Sequence, residues 1–166
     1  MEIRIKAQNL NKVLKSVEDR TQAIKDKTQE MVRQTTELGA KEASLNFSSA
    51  WYDGTNDVKV TSRVYKKTGV VTASGRTALF IEFGTGVHYG GGHPDAESFG
   101  YYPGSYGPNG LKDYWFYKGE RGTNGLPSEK KPGMIITHGN PANRCMYNAR
   151  RKVERNAQRI ARRVFK

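Results

Sequence analysis

The chain has 166 residues, 36% of them apolar, a formal net charge of +12 and a mean hydropathy of -0.77. That length supports one domain over 1–166 with a single core, while the low apolar share leaves burial to be completed against partners. No run of about 18 apolar residues occurs, so a transmembrane helix is not expected. The opening MEIRIKAQNL has no apolar h-region and does not read as a signal peptide. Cys145 is the one cysteine, which excludes an intramolecular disulfide framework and a multi-cysteine zinc site, and a cytosolic setting fits best.

The charge is concentrated. Residues 134–166 hold nine basic groups against Glu154 alone, so +8 of the +12 lies there. Such a field points to an anionic partner, either nucleic acid or an acidic protein surface, with a solvated helix face as the plainer reading.

In chain order, Glu2 to Ala7 alternates Ile3 and Ile5 with Arg4 and Lys6, the period of a half-buried strand. A long helical pattern follows over 8–45. Leu10, Val17, Ile24, Met31 and Leu38 recur every seven residues, with Val13, Leu14 and Val32 beside them. Thr21, Thr28 and Thr35 stand where a strong coiled coil carries Leu, so the helix is expected to lie on a sheet or on a neighbouring subunit. Gly39 is read as its end or a bend. Three strands are expected next: DVKVTSRVY, GVVTAS after a Lys66–Gly69 turn, and TALFIEF after Ser74-Gly75-Arg76. Together they make an antiparallel meander.

Residues 84–133 hold 13 of the 18 glycines, five of the six prolines and six of the nine tyrosines, with no period of 2 or 3.6. They read as an inserted Gly/Tyr-rich loop, centred on 88–132, whose Tyr101, Tyr102, Tyr106, Trp115 and Phe116 are candidates for contact with a subunit or partner. MIITHGNP is a short strand and turn, and Pro141 is expected to open the last helix. On that helix Cys145, Met146, Ala149, Val153, Ile160, Ala161 and Val164 form an apolar stripe. Arg150, Arg151, Arg155, Arg159, Arg162 and Arg163 are the candidate contacts to an anionic partner. The fold class is α+β: a long N-terminal helix and a basic C-terminal helix packed on a small antiparallel β-meander.

Catalytic and metal chemistry find little support. GTGVHYGGG follows a strand pattern, but no helix pattern or Lys-Ser/Thr pair closes it as a phosphate loop. His88, His93, Asp95 and His138 could be drawn as metal ligands, yet they sit in a glycine-rich segment with no rigid element to fix them and read as exposed loop residues. Cys145 on an apolar stripe reads as a small hydrophobe. Glu82, without a companion in the sequence, reads as a carboxylate that holds a turn by accepting its N–H groups or pairing with an arginine. No cofactor, metal or catalytic residue is assigned.

The meander ending in Glu82-Phe83-Gly84-Thr85, followed by a loop and then by GNPANRCMYNARRKV, resembles the tail-completion, or head–tail connector, proteins of long-tailed bacteriophages. The resemblance covers about residues 1–87 and 134–166. Two departures stand out: Cys145 where the family often has Phe, and a segment 88–132 longer than the usual connector. The resemblance implies a non-enzymatic virion protein, assembled in the host cytoplasm into a ring with the tail's sixfold symmetry at the head–tail junction. Its implied neighbours are a head adaptor or portal-side protein and a tail terminator or tail-tube protein, with passing contact to genomic DNA and no membrane. Glu82, Phe83, Gly84 and Thr85 would then form a structural corner. The competing readings are a sequence-independent nucleic-acid-binding module built on the Arg-rich helix, and a hydrolase using Glu82 with a loop histidine.

Overall fold

The computed structural model describes residues 9–52, 54–85, 92–100, 114–119, 121 and 125–166. The strand expected over 2–7, and with it Ile3 and Ile5, lies outside the described residues. So do His88, Tyr101, Tyr102 and Tyr106.

The architecture is α+β. Helix α1 runs over Leu10–Ser48 without interruption. Gly39 does not end it, and a Cβ there would stand 3.3 Å from Val153 Cγ2 and 3.5 Å from Val71 Cγ2. This glycine is a contact residue, letting the last helix and the hairpin close on α1 from two sides. Helix α3, Cys145–Val164, packs antiparallel to α1. Asn46 Nδ2 donates to the Cys145 carbonyl at 3.0 Å, Arg163 donates to Gln34 Oε1, and Lys27 Nζ donates to the Lys166 main-chain oxygen at 2.7 Å. Those ties place the end of α3 beside residues 27–34 of α1. Residues 10–26, about 25 Å of helix at 1.5 Å per residue, run on with every residue exposed.

Strands β1 (Lys59–Tyr65) and β2 (Thr68–Ser74) form a hairpin in the register Tyr65↔Thr68, closed by Lys66-Lys67. The expected third strand is not one: Ala78–Phe83 is a short helix, α2. Its sequence is nearly all apolar, so alternation could not separate strand from helix. The helix wins because Ala78, Ile81 and Glu82 then fall on one face, and all three are buried while Leu79 and Phe80 face out. The meander is therefore a two-stranded hairpin.

The Gly/Tyr-rich stretch carries more structure than expected. Its described residues include a 3-10 turn at Glu97–Phe99 and the strands β3 (Trp115–Tyr117) and β4 (Leu126–Pro127). These flank β5 (Ile135–Thr137) in a separate antiparallel sheet of order β3-β5-β4. Pro141 also does not open the last helix, which starts at Cys145. Asn143 uses its side chain on neighbouring backbone, and Arg144 adopts a left-handed conformation at φ 56°, so helical geometry begins after both.

The core lies where α1, α2, the hairpin and α3 meet. Phe47, Ile81 and Cys145 are its buried centre, with Tyr52, Val58, Val60, Ala73 and Met146 packed around them. The apolar stripe read on the last helix turns inward, with Cys145, Ala149 and Ile160 buried and its arginines exposed.

Candidate functional site

The tetrapeptide Glu82-Phe83-Gly84-Thr85 ends α2 and meets the start of α3, and each of its residues makes a different part of that junction. Glu82 is buried. Its Oε2 accepts from the Met146 N–H at 2.8 Å, and its Oε1 accepts from the Tyr147 N–H at 3.0 Å. The carboxylate thus satisfies two of the four N–H groups that a helix leaves unpaired at its N-terminus, where negative charge is also favoured by the helix dipole. It occupies the N-terminus of α3, so that end of the helix is not open to an external anion.

The same Oε1 lies 3.0 Å from His93 Nε2, and the two side chains are only 8% and 3% exposed. The Asp95 N–H donates to His93 Nδ1 at 3.0 Å, so Nδ1 is the acceptor and the ring proton sits on Nε2, facing Glu82. His93 is therefore no exposed loop residue: a buried partner holds it, and a tight turn returns the chain, with the Ala96 N–H donating to the His93 carbonyl at 3.1 Å. Phe83 packs with tilted rings against His93, centroids 4.4 Å apart, and against Phe99 at 5.4 Å, and Tyr147 meets the imidazole edge-on at 5.5 Å.

Gly84 has φ +77°, and a Cβ on it would fall 2.6 Å from Ala142 N and 2.8 Å from Asn140 O. No other residue can take this position without moving 140–142. Thr85 pairs with Asn140: its N–H donates to the Asn140 carbonyl at 2.8 Å, and the Asn140 N–H lies 3.1 Å from both the Thr85 carbonyl and Oγ1. Asn143 completes the junction. Its Oδ1 accepts from the Trp51 N–H at 2.8 Å, its Nδ2 donates to the Trp51 carbonyl at 2.9 Å, and its own N–H donates to the Ile81 carbonyl at 2.9 Å. Sequence reading passed over Asn143 and the pairing of Glu82 with His93. The Pro94-Asp95 turn signal could have suggested a chain reversal after His93, but not its target.

Chemically, this junction is closed. Both Glu82 oxygens and both His93 nitrogens are engaged, and among the described residues no hydroxyl or thiol is hydrogen-bonded to either. Cys145 is fully buried beside them; burial, and then the Glu82 charge, push its thiol up to about 12, far from a reactive thiolate. Among the described residues, no three His, Cys, Asp or Glu side chains converge on a common point that could hold a metal ion. His138 lies elsewhere, edge-on to Tyr114 at 6.3 Å.

A second carboxylate organises the start of α2. Asp57 Oδ1 accepts from Thr77 Oγ1 at 2.6 Å and from the Thr77 N–H at 3.1 Å, and Oδ2 accepts from the Arg76 N–H at 3.1 Å. The Thr77 hydroxyl, then those backbone N–H groups, hold Asp57 well below the usual carboxylate range.

The two remaining groups of candidates lie apart from the junction. Trp115 and Phe116 are half-buried in β3, with the Lys131 ammonium 4.5 Å from the centre of the Phe116 ring. The six arginines of α3 are all exposed but not equivalent. Arg150 is shared between Asp95 at 3.8 Å and Glu154 at 3.5 Å, and lies over the Tyr147 ring. Arg151 binds Glu154 at 2.8 Å, and Arg163 is spent on Gln34. Arg159 meets only the neutral Asn156, while Arg155 and Arg162 have no hydrogen-bond or ion-pair partner among the described residues.

No helix of the described residues is long and apolar enough to cross a membrane. Comparison of the chain with protein-family models, with curated proteins and with solved structures gives no match.

Proposed function

We propose that this chain is a non-enzymatic structural subunit of a bacteriophage virion, forming a ring of six copies at the head–tail junction and joining or completing the tail there. The observation that carries this reading is the projecting half of α1. Leu10, Val13, Leu14, Val17 and Ile24 are 51–59% exposed on a helix that nothing among the described residues covers. A chain that extends this much apolar surface from a small core is a subunit awaiting its neighbours. The order of hairpin, Glu-Phe-Gly-Thr junction and basic helix supports the head–tail junction as the place of that assembly, by its resemblance to connector proteins. The engagement of both Glu82 oxygens inside the fold supports a structural role for that residue over a hydrolytic one.

The test is negative-stain imaging of nuclease-treated protein, alone and with portal-side and tail-tube proteins of a long-tailed phage. Closed rings with sixfold class averages are expected. Particles that stay single under all of these conditions would contradict the proposal.

A further inference from the structure

We infer that the outward face of α3 is a binding site for the phosphate backbone of duplex nucleic acid, and that Arg155, Arg159 and Arg162, with Lys152, are its contact residues. Residues 152, 155, 159 and 162 follow one another at three-, four- and three-residue steps. They therefore line one side of the helix over about 15 Å in all. The row lies on the flank of α3 beside the buried stripe of Ala149 and Ile160, and its side chains stay exposed, so packing against α1 does not consume it.

The structure separates these cations from the others. Arg150, Arg151 and Arg163 answer groups of the chain itself, as does Arg33, which bridges Glu30 at 2.7 Å and Glu37 at 2.6 Å. Lys152, Arg155 and Arg162 answer none among the described residues, and Arg159 answers only an uncharged amide. Glu154, the one acid on the helix, is turned to the flank where Arg150 and Arg151 hold it.

Beside the row, an open groove of about 480 Å³ separates α3 from α1, with Tyr147, Asn148, Arg151, Lys152 and Arg155 on one wall and Asn46 and Glu42 on the other. It is a polar cleft in which a phosphate group could seat beside the row, and Glu42 is the one carboxylate that would oppose it. An acidic protein surface is the lesser fit. Protein interfaces centre on apolar or aromatic anchors with charge at the rim, and positions 148, 151, 152, 155, 159 and 162 are Asn, Arg, Lys, Arg, Arg and Arg. The one aromatic beside the row, Tyr147, already packs against His93 and under Arg150, and a row of cations of this kind suits a partner that presents repeated charge and no pocket-filling group. That is a nucleic-acid backbone, bound without reading sequence.

The inference does not depend on the ring. The experiment uses the full chain after nuclease treatment and removal of bound nucleic acid. It measures fluorescence anisotropy with two duplexes of unrelated sequence over a salt series, with the mass of each sample taken by light scattering. The two duplexes are expected to bind alike, with log affinity falling linearly with log salt. Arg155→Gln/Arg159→Gln/Arg162→Gln should reduce that slope by nearly one unit per guanidinium removed, at unchanged mass and unchanged helical circular dichroism. Arg33→Gln should leave slope and affinity as they were, and Glu42→Gln should tighten binding. A triple variant that binds with the parental slope would overturn the inference. So would competition by poly-L-glutamate as effective as that by duplex of equal charge, which would hand the row to an acidic protein. Rings without duplex binding would sink this inference and leave the assembly reading intact, and duplex binding by a monomer would do the reverse.

Discussion

At the residue scale, Glu82 has three donors converging on one buried carboxylate. Glu82→Gln turns an amide donor toward donors that must then go unpaired. The expected cost is about 2–3 kcal/mol, read as a lower urea midpoint at unchanged slope. Gly84→Ala meets both a left-handed φ and the backbone of 140–142, and is expected to cost more than about 2 kcal/mol. Asp57 supplies a pH dependence. Its carboxyl is held down in the folded chain, so the stability it contributes is present above the unfolded value of about 4 and is lost as pH falls below it. The gap in denaturant midpoint between the parent and Asp57→Asn should therefore be widest near pH 6 and shrink steadily on acidification toward pH 2. A gap that stayed constant with pH would show that Asp57 acts by shape and not by charge. Of these residues, Glu82 and Gly84 could be singled out in the sequence, because a lone acid in an apolar run and a glycine after it are unusual. Their partners could not be read: His93 is eleven residues away through a segment without period, and Asn143 lies sixty-two residues from Ile81.

At the scale of elements, legibility follows length. The heptad recurrence from Leu10 to Leu38 was enough to expect α1, and the apolar stripe with exposed arginines was enough to expect α3. Residues 78–83 were not, since six residues of mostly apolar type satisfy a strand and a helix equally, and only Asp57 and the burial of Ile81 decide between them. Strands of two or three residues such as β3, β4 and β5 carry no period at all; their pairing is set by contacts distant in sequence. The exposed half of α1 makes the sharpest demand at this scale. Thr21 and Thr28 donate their hydroxyls to the Val17 and Ile24 carbonyls at 2.8 Å. The methyl groups are what these positions offer beside Leu14, Val17 and Ile24. Val17→Ser/Ile24→Ser is expected to leave the unfolding free energy of the isolated chain within about 0.5 kcal/mol, as surface changes do, while abolishing assembly by size-exclusion chromatography. Destabilisation without loss of assembly would mean that this face packs within its own chain.

For the whole molecule, three features bear on the proposed assembly. A small core gathers around Phe47, Ile81 and Cys145, a helix runs on past that core, and basic charge is concentrated in α3. The Glu82 junction fixes the direction in which α3 leaves the core, and so the angle between the projecting half of α1 and the arginine row. In the proposed ring that angle would set how neighbours meet and which way the basic face looks, which is why substitutions at Glu82 or Gly84 should impair assembly as well as folding. The proposed ring is tested most directly by the mass of the nuclease-treated chain in solution at moderate salt, by multi-angle light scattering. A discrete species near six times the 18.6 kDa of one chain, stable on dilution, is expected. A species of 18.6 kDa at every concentration, unchanged when portal-side and tail-tube proteins are added, would contradict it.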